Sequence, residues 1–181
     1  MKAFPPLRPP TGVFMAKIAA KGSTKSRHYW LFKSEPEAYS IDDLVRDGTT
    51  TWDGVRNFQA RNLLRDEIRI GDRVLFYHSN AEPMAIVGTM EVTKAGYPDP
   101  TARDKKHPHH DPKSTVEVPI WYMVDVRFRK KFAEPVTREM LKDCSDLNEM
   151  VVLEKGSRLS IQPVTGEEWR AIHILAGEKP D

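Results

Sequence analysis

Between positions 52 and 61 the chain reads Trp-Asp-Gly-Val-Arg-Asn-Phe-Gln-Ala-Arg. An indole there sits beside a carboxylate and a flexible glycine, and two guanidinium groups and two carboxamides follow. Such a set can stack a flat group, read its polar edge and hold a nearby anion. A nucleobase joined to phosphate has those three properties. Trp52 is the candidate stacking wall. The alternative is a core tryptophan, since indoles are usually buried. The polar company of Asp53 and Asn57 favours the wall, and predicts that Trp52→Ala weakens binding while leaving the fold intact. Asp53 can accept from the exocyclic amine of cytosine or adenine, or cap a helix that starts near Val55. Asn57 offers a donor and an acceptor together, or pins a loop.

Other candidates are spread along the chain. Ser34 leaves its strand opposite Lys33 in side-chain direction. Its hydroxyl can bond a base edge or cap the turn at Pro36. Tyr77-His78-Ser79-Asn80 ends a second strand, where side chains reach a rim. His78 reads either as a ligand contact or as a satisfied, half-buried histidine. Tyr97 opens a long loop and can close a cage over a base. Ser79 and Ser160 complete the base-binding candidates. Lys33, Arg56, Arg61 and Arg158 are the candidate phosphate contacts. Any one of them alone is a solvated charge, and the clustering of several is the hypothesis.

Two groups invite other chemistry. His107, His109, His110 and Asp111 are metal-ligand types, but Pro108 and Pro112 interrupt them and no regular element puts them on one face, so no metal is expected. Cys144, between Asp143 and Ser145, invites a nucleophile reading without a base nearby in sequence. No paired carboxylates, triad order or phosphate loop stands out, and no enzyme activity or cofactor is expected.

Composition narrows the class. The chain has 181 residues, 39% hydrophobic and 30% charged, as in an ordinary globular protein. No apolar run approaches the roughly 20 residues that span a bilayer, and one cysteine excludes an internal disulfide and fits a reducing interior. Six of the 28 Lys and Arg, and none of the 26 Asp and Glu, lie in residues 1–27, leaving 22 bases against 26 acids in the rest. The net +2 therefore splits into a +6 tail and a −4 domain. A domain of that sign holds a polyanion only through a local cluster of cations. Residues 1–27, with paired prolines and Gly-Ser-Thr, read as a basic, disordered tail. Their acid-free composition also allows a targeting peptide, and Met15 would serve equally well as a start.

The elements that must position these residues follow from patterning. Tyr29-Trp30-Leu31-Phe32 reads as a strand buried on both faces. Ser40 and Asp43 form a capping box for a short helix closed by Gly48. Residues 55–69 read as a helix, with Ala60, Leu64 and Ile68 on one face and an Arg61, Arg65, Arg69 stripe beside it. Strands are predicted over 74–78, 85–92, 116–128 and 158–162, with helices over 136–141 and 166–175. Residues 93–115, rich in proline, form a long excursion of the sort that carries function. The result is an α+β class: a curled, mostly antiparallel sheet with flanking helices.

Several words in the chain resemble the EVE domain, a member of the PUA-like fold group. They are Tyr29 to Pro36, Trp52 to Asn57, Phe76 to Asn80, Tyr97 to Pro100, Pro119 to Trp121 and Ser157 to Val164. The match covers about residues 28–175, within a domain drawn as 28–177. The resemblance implies a PUA-like pseudo-barrel with a pocket for a modified base of the 5-methylcytosine type. A more distant likeness, at the level of fold, is to the YTH domain and its aromatic cage for N6-methyladenine. Trp30, Phe32 and Trp121 are left to the core. The expected function is a non-enzymatic module that takes up a modified base in DNA or RNA, in the cytoplasm, or in the nucleus of a eukaryote, with no membrane partner. RNA recognition, a nucleotide-processing enzyme and a protein-interaction groove are the alternatives. The related loop often carries aromatics where this chain has histidines, so its rim is expected to differ.

Overall fold

The structure is a computed structural model that describes residues 27–180. The expectations of a disordered tail and of a start at Met15 fall on residues outside these. The described chain forms a six-stranded sheet in the order β2-β5-β4-β3-β1-β6. Its strands are β1 (Tyr29–Ser34), β2 (Thr49–Trp52), β3 (Arg73–His78), β4 (Ala85–Pro98), β5 (Tyr122–Thr137) and β6 (Ile161–Val164). All neighbours run antiparallel except β1 and β3, which are parallel. A parallel pair needs a crossover, and here it carries helix α1 (Ile41–Asp47), β2 and helix α2 (Phe58–Asn62). Helices α3 (Arg138–Asp143) and α4 (Gly166–Leu175) come late in the chain.

The sheet closes on itself through aromatic side chains. In the strand order β2 lies four places from β1. In a flat sheet that is roughly 19 Å at about 4.8 Å per strand. Yet the Trp52 ring lies 5.3 Å from Phe32 on β1 and 5.3 Å, edge to face, from Phe76 on β3. The sheet must curl to bring them together. Alternation along the strands then fills both faces. Trp30, Phe32, Val74 and Phe76 point inside the curl with Trp52 and Val124. Leu31, Leu75 and Tyr77 point outward, under Leu141 of α3 and Trp169 and Ile172 of α4. β1 is thus buried on both faces, as its unbroken apolar run requires.

Local signals set the helix ends. Ser40 and Asp43 form the expected capping box on α1, and Gly48 ends it with φ 71°. Thr165 and Glu168 repeat the device on α4. The helix expected over 55–69 starts later. Asn57 is its cap, accepting from the Ala60 amide at 3.0 Å. The helix widens into a π-turn over Leu63–Glu67, with the Ile68 amide bonded to the Leu63 carbonyl. Ala60, Leu64 and Ile68 face the core as their spacing demands.

Other expectations are corrected. No strand was expected at Thr49–Trp52, where three threonines hide a half-exposed edge strand that pairs with β5. The strand expected over 116–128 starts only at Tyr122, because residues 116–121 have no partner strand; Val116 and Val118 are 70% and 65% exposed. It runs on through Arg127 to Thr137 because β4 pairs with it throughout. β4 itself runs on to Pro98, six residues past its expected end. Gly96 permits this, since a Cβ there would lie 2.2 Å from the Leu64 carbonyl oxygen. The helix expected at 136 starts at Arg138, where Thr137 caps it, and the last strand starts at Ile161 rather than Arg158.

Trp52 is only 8% exposed and sits in the inner core cluster. Removing a buried ring leaves a cavity, so Trp52→Ala is expected to destabilise the protein by about 3–5 kcal/mol. Trp52→Phe, which keeps a ring, should cost much less. Denaturant midpoints measure both. A Trp52→Ala protein as stable as its parent would show that the indole does not close the sheet.

Candidate functional site

Two cavities open on either side of Lys33. The first, of about 450 Å³, lies between the end of β1, the turn after it, β2 and residues 107–109. Ser34, Tyr39, Trp52, Asp53 and His109 are among its walls. The second, of about 670 Å³, lies between the ends of β1 and β3, Arg138 and the segment before β6. Lys33 lines both. The end of β1 is gripped from both sides: the Ser79 amide donates to the Ser34 carbonyl, and the Lys33 amide to the Ser160 carbonyl, each at 2.9 Å.

The first cavity carries the chemistry read from Trp52 and Asp53. Trp52 shows it only a small part of its ring, since Phe32 and Phe76 cover the rest. The expectation of a freely removable stacking wall is therefore corrected: this indole is at once core and cavity wall. Asp53 does not cap a helix. It accepts from the Thr51 hydroxyl at 3.1 Å, and its second oxygen remains to accept from a ligand. The Ser34 hydroxyl donates to the Tyr39 carbonyl at 2.7 Å, which fixes the turn and leaves its lone pairs as acceptors.

The fourth wall comes from the histidines of the long loop, dismissed as metal ligands but expected to give the rim a different character. His107, Pro108 and His109 line this cavity. The His109 amide donates to His107 Nδ1 at 3.2 Å, so neutral His107 carries its proton on Nε2. Gly54 makes room for His109: a Cβ there would sit 2.7 Å from its Nδ1, and the φ of 70° also suits glycine. The only sequence signal for this approach is the glycine directly after Trp52-Asp53. Arg56 locks the loop in place. It donates to the His109 carbonyl at 2.7 Å, to the Thr101 hydroxyl at 3.1 Å and to buried Asp99 at 2.8 Å. Asp99 also accepts from the Gly54 amide at 3.1 Å. Burial opposes the charge of Asp99, but the bonds from Thr101, Arg56 and Gly54 outweigh it and hold its carboxyl below the usual range.

The remaining candidates divide. Tyr77, Ser79, Arg158 and Ser160 lie in the second cavity, with Lys33. Burial, then repulsion from Arg138, lowers the Lys33 ammonium pKa. His78 Nε2 accepts from the Ile41 amide at 3.1 Å, and burial favours the neutral ring that this bond requires. It holds the start of α1. The Tyr97 hydroxyl donates to Asp125, and Lys94 covers the Tyr97 ring at 3.5 Å. Burial and Asp125 push that hydroxyl's pKa well up. Neither His78, Tyr97 nor Asn57 lines either cavity. Arg61 donates to the Ile120 carbonyl at 2.7 Å and so fastens the far end of the long loop. Asp111 accepts from the Trp121 indole at 2.7 Å, so that pair builds the loop rather than a metal site. Trp121 is buried as expected, though by the loop, Arg56 and Phe58 rather than by the sheet.

The Asp99 carboxyl is depressed in the fold, so its stabilisation is complete above the ordinary aspartate value of 3.8 and fades as pH falls through the lowered one. Asp99→Asn should remove that acid limb and about 1.5–3 kcal/mol at neutral pH; thermal melts across the acid range test both. Gly54→Ala should displace His109 from the cavity wall. An unshifted His109 imidazole resonance in that variant would count against the contact.

An EVE domain family profile matches residues 28–175. Human thymocyte nuclear protein 1 is 39% identical over 170 residues, which cover 84% of this chain and 75% of the human protein. A structure from Leishmania major superposes with a TM-score of 0.80 at 44% identity, covering 83% of this chain and 95% of that one. The human THYN1 protein in complex with 5-methylcytosine-containing DNA superposes with a TM-score of 0.78 at 40% identity, covering 84% of this chain and 99% of that one. The mostly antiparallel sheet and flanking helices are those of these relatives. The chain belongs to the EVE domain family.

Proposed function

We propose that this protein is a non-enzymatic reader that binds DNA carrying a 5-methylcytosine-type base and receives that base in the cavity between Ser34, Trp52, Asp53 and His109. The observation that carries this reading is the convergence, in about 450 Å³, of acceptor oxygens and flat walls. Support comes from the human relative bound to 5-methylcytosine-containing DNA. Asp53 accepts from the exocyclic amine of the cytosine edge, and the Ser34 lone pairs offer a second acceptor. The Trp52 edge and Pro108 offer apolar surface to the methyl group. His107 and His109 cover the ring and supply a donor to its carbonyl side.

Magnitudes set how selective the reader is. A buried methyl contributes about 0.8 kcal/mol, or about fourfold in affinity. Extruding a base from a duplex costs a few kcal/mol, which the cavity contacts must recover. Single strands should therefore bind more tightly than duplexes, and the methyl preference should be modest.

The test is a titration of single- and double-stranded oligonucleotides, DNA and RNA, with and without one 5-methylcytosine. Asp53→Ala loses a bond to a charged acceptor and should weaken binding by about 1.5–3 kcal/mol, with little change in melting temperature. Affinity equal to the parent in that folded variant would remove Asp53 from the site. Tighter binding to the RNA series would redirect the reading to RNA, whose 2′-hydroxyl distinguishes it.

A further inference from the structure

The cations of the described chain sort into two kinds. Arg56 and Arg61, placed beside the Trp52 motif in sequence, spend their donors on carbonyls and on Asp99. Lys33, Arg138 and Arg158 converge on the second cavity, and among the described residues no carboxylate pairs with any of them. The one side-chain bond Arg138 makes is long, 3.4 Å to the Leu153 carbonyl. The hydroxyls of Tyr77, Ser79 and Ser160 add donors to the same walls. Glu35, which accepts from the Asn80 amide at 2.6 Å, and Glu154 also line it, so three cations face two carboxylates there. Three cations that make no ion pair of their own are unexpected in one recess of a domain with more acids than bases.

We propose that this second cavity is the phosphate subsite of the bound strand: the phosphodiester next to the inserted base crosses Lys33 and is held there by Arg138 and Arg158. The proposal rests on the reading of the first cavity as the base pocket. It adds Arg138, on the far side of Lys33, and removes Arg56 and Arg61 from phosphate contact. The geometry is that of neighbouring subsites. Lys33 is common to both cavities, so a chain that leaves the first along β1 meets the second directly. Its three cations exceed its two carboxylates and its hydroxyls add donors, so the recess suits phosphate and sugar oxygens and does not discriminate among bases.

The experiment measures binding of the full chain to single-stranded DNA, with and without one 5-methylcytosine, across a series of salt concentrations. Each phosphate neutralised contributes roughly 0.7 to the slope of log K against log salt for single strands. Arg138→Gln should flatten that slope by about one contact's worth and leave the methylated-to-unmethylated ratio unchanged. Arg158→Gln should do the same and serves if the first variant fails to fold. Arg65→Gln, paired with Asp66 away from both cavities, should leave the slope as it was. An unchanged slope in folded Arg138→Gln and Arg158→Gln proteins overturns the proposal, as does a loss confined to the methyl ratio. A parent protein without methyl preference would instead sink the base-pocket reading, while the slopes, read on the unmodified strand, still decide the phosphate subsite.

Discussion

The contact of Trp52 with Phe32 and Phe76 is the constraint on which the rest depends. It joins an edge strand to strands far along the sheet and so turns an open ladder into a curl. The same contact brings Asp53, next to Trp52, opposite Ser34, two residues beyond Phe32. The cavity exists because the curl exists. An indole that makes a fold and walls a site cannot be assigned to either purpose by truncation alone. The neighbouring carboxylate, which is polar and half-buried, separates binding from stability more cleanly.

Charge follows a similar economy. Where a sequence places arginines beside a stacking motif, the simplest reading gives them to phosphate. Here the loop beyond β4 needs them first. It is a long, proline-rich segment with little apolar content, and it is fastened by Arg56 at His109 and Asp99 and by Arg61 at Ile120. Buried Asp99 and the half-buried Ile120 carbonyl must be satisfied before any surface anion is met. Cations left without such duties come from residues distant in sequence, at the end of β1, the start of α3 and the approach to β6.

Much of the fold was legible. The capping box at Ser40, the β1 run and the Ala60, Leu64, Ile68 face all depend on neighbours in sequence, and all are present. What failed were elements decided by partners far away. β2 is a strand because β5 lies beside it, and β5 begins at Tyr122 because β4 reaches no farther than Pro98. The site was legible in type and less so in grouping. Ser34, Trp52, Asp53 and Lys33 meet around one cavity, whereas His78, Tyr97 and Asn57 hold an amide, a carboxylate and a helix end. The histidines were legible as a rim that differs from the related loop, but not as a wall against Trp52 and Asp53, because that placement depends on the loop folding back across Gly54.

The pairing of β1 has a consequence for how the molecule is made. Tyr29 at the front of the domain pairs with Arg73 and, on its other side, with Val164 near the end. Contacts so distant in sequence pay their loop-closure entropy late, and they slow folding. Lys33 is gripped on its second side only when the Ser160 segment before that last strand arrives. A nascent chain emerging from the ribosome therefore holds the whole Trp52 motif long before it has a cavity, and no isolated peptide from that motif has one at all.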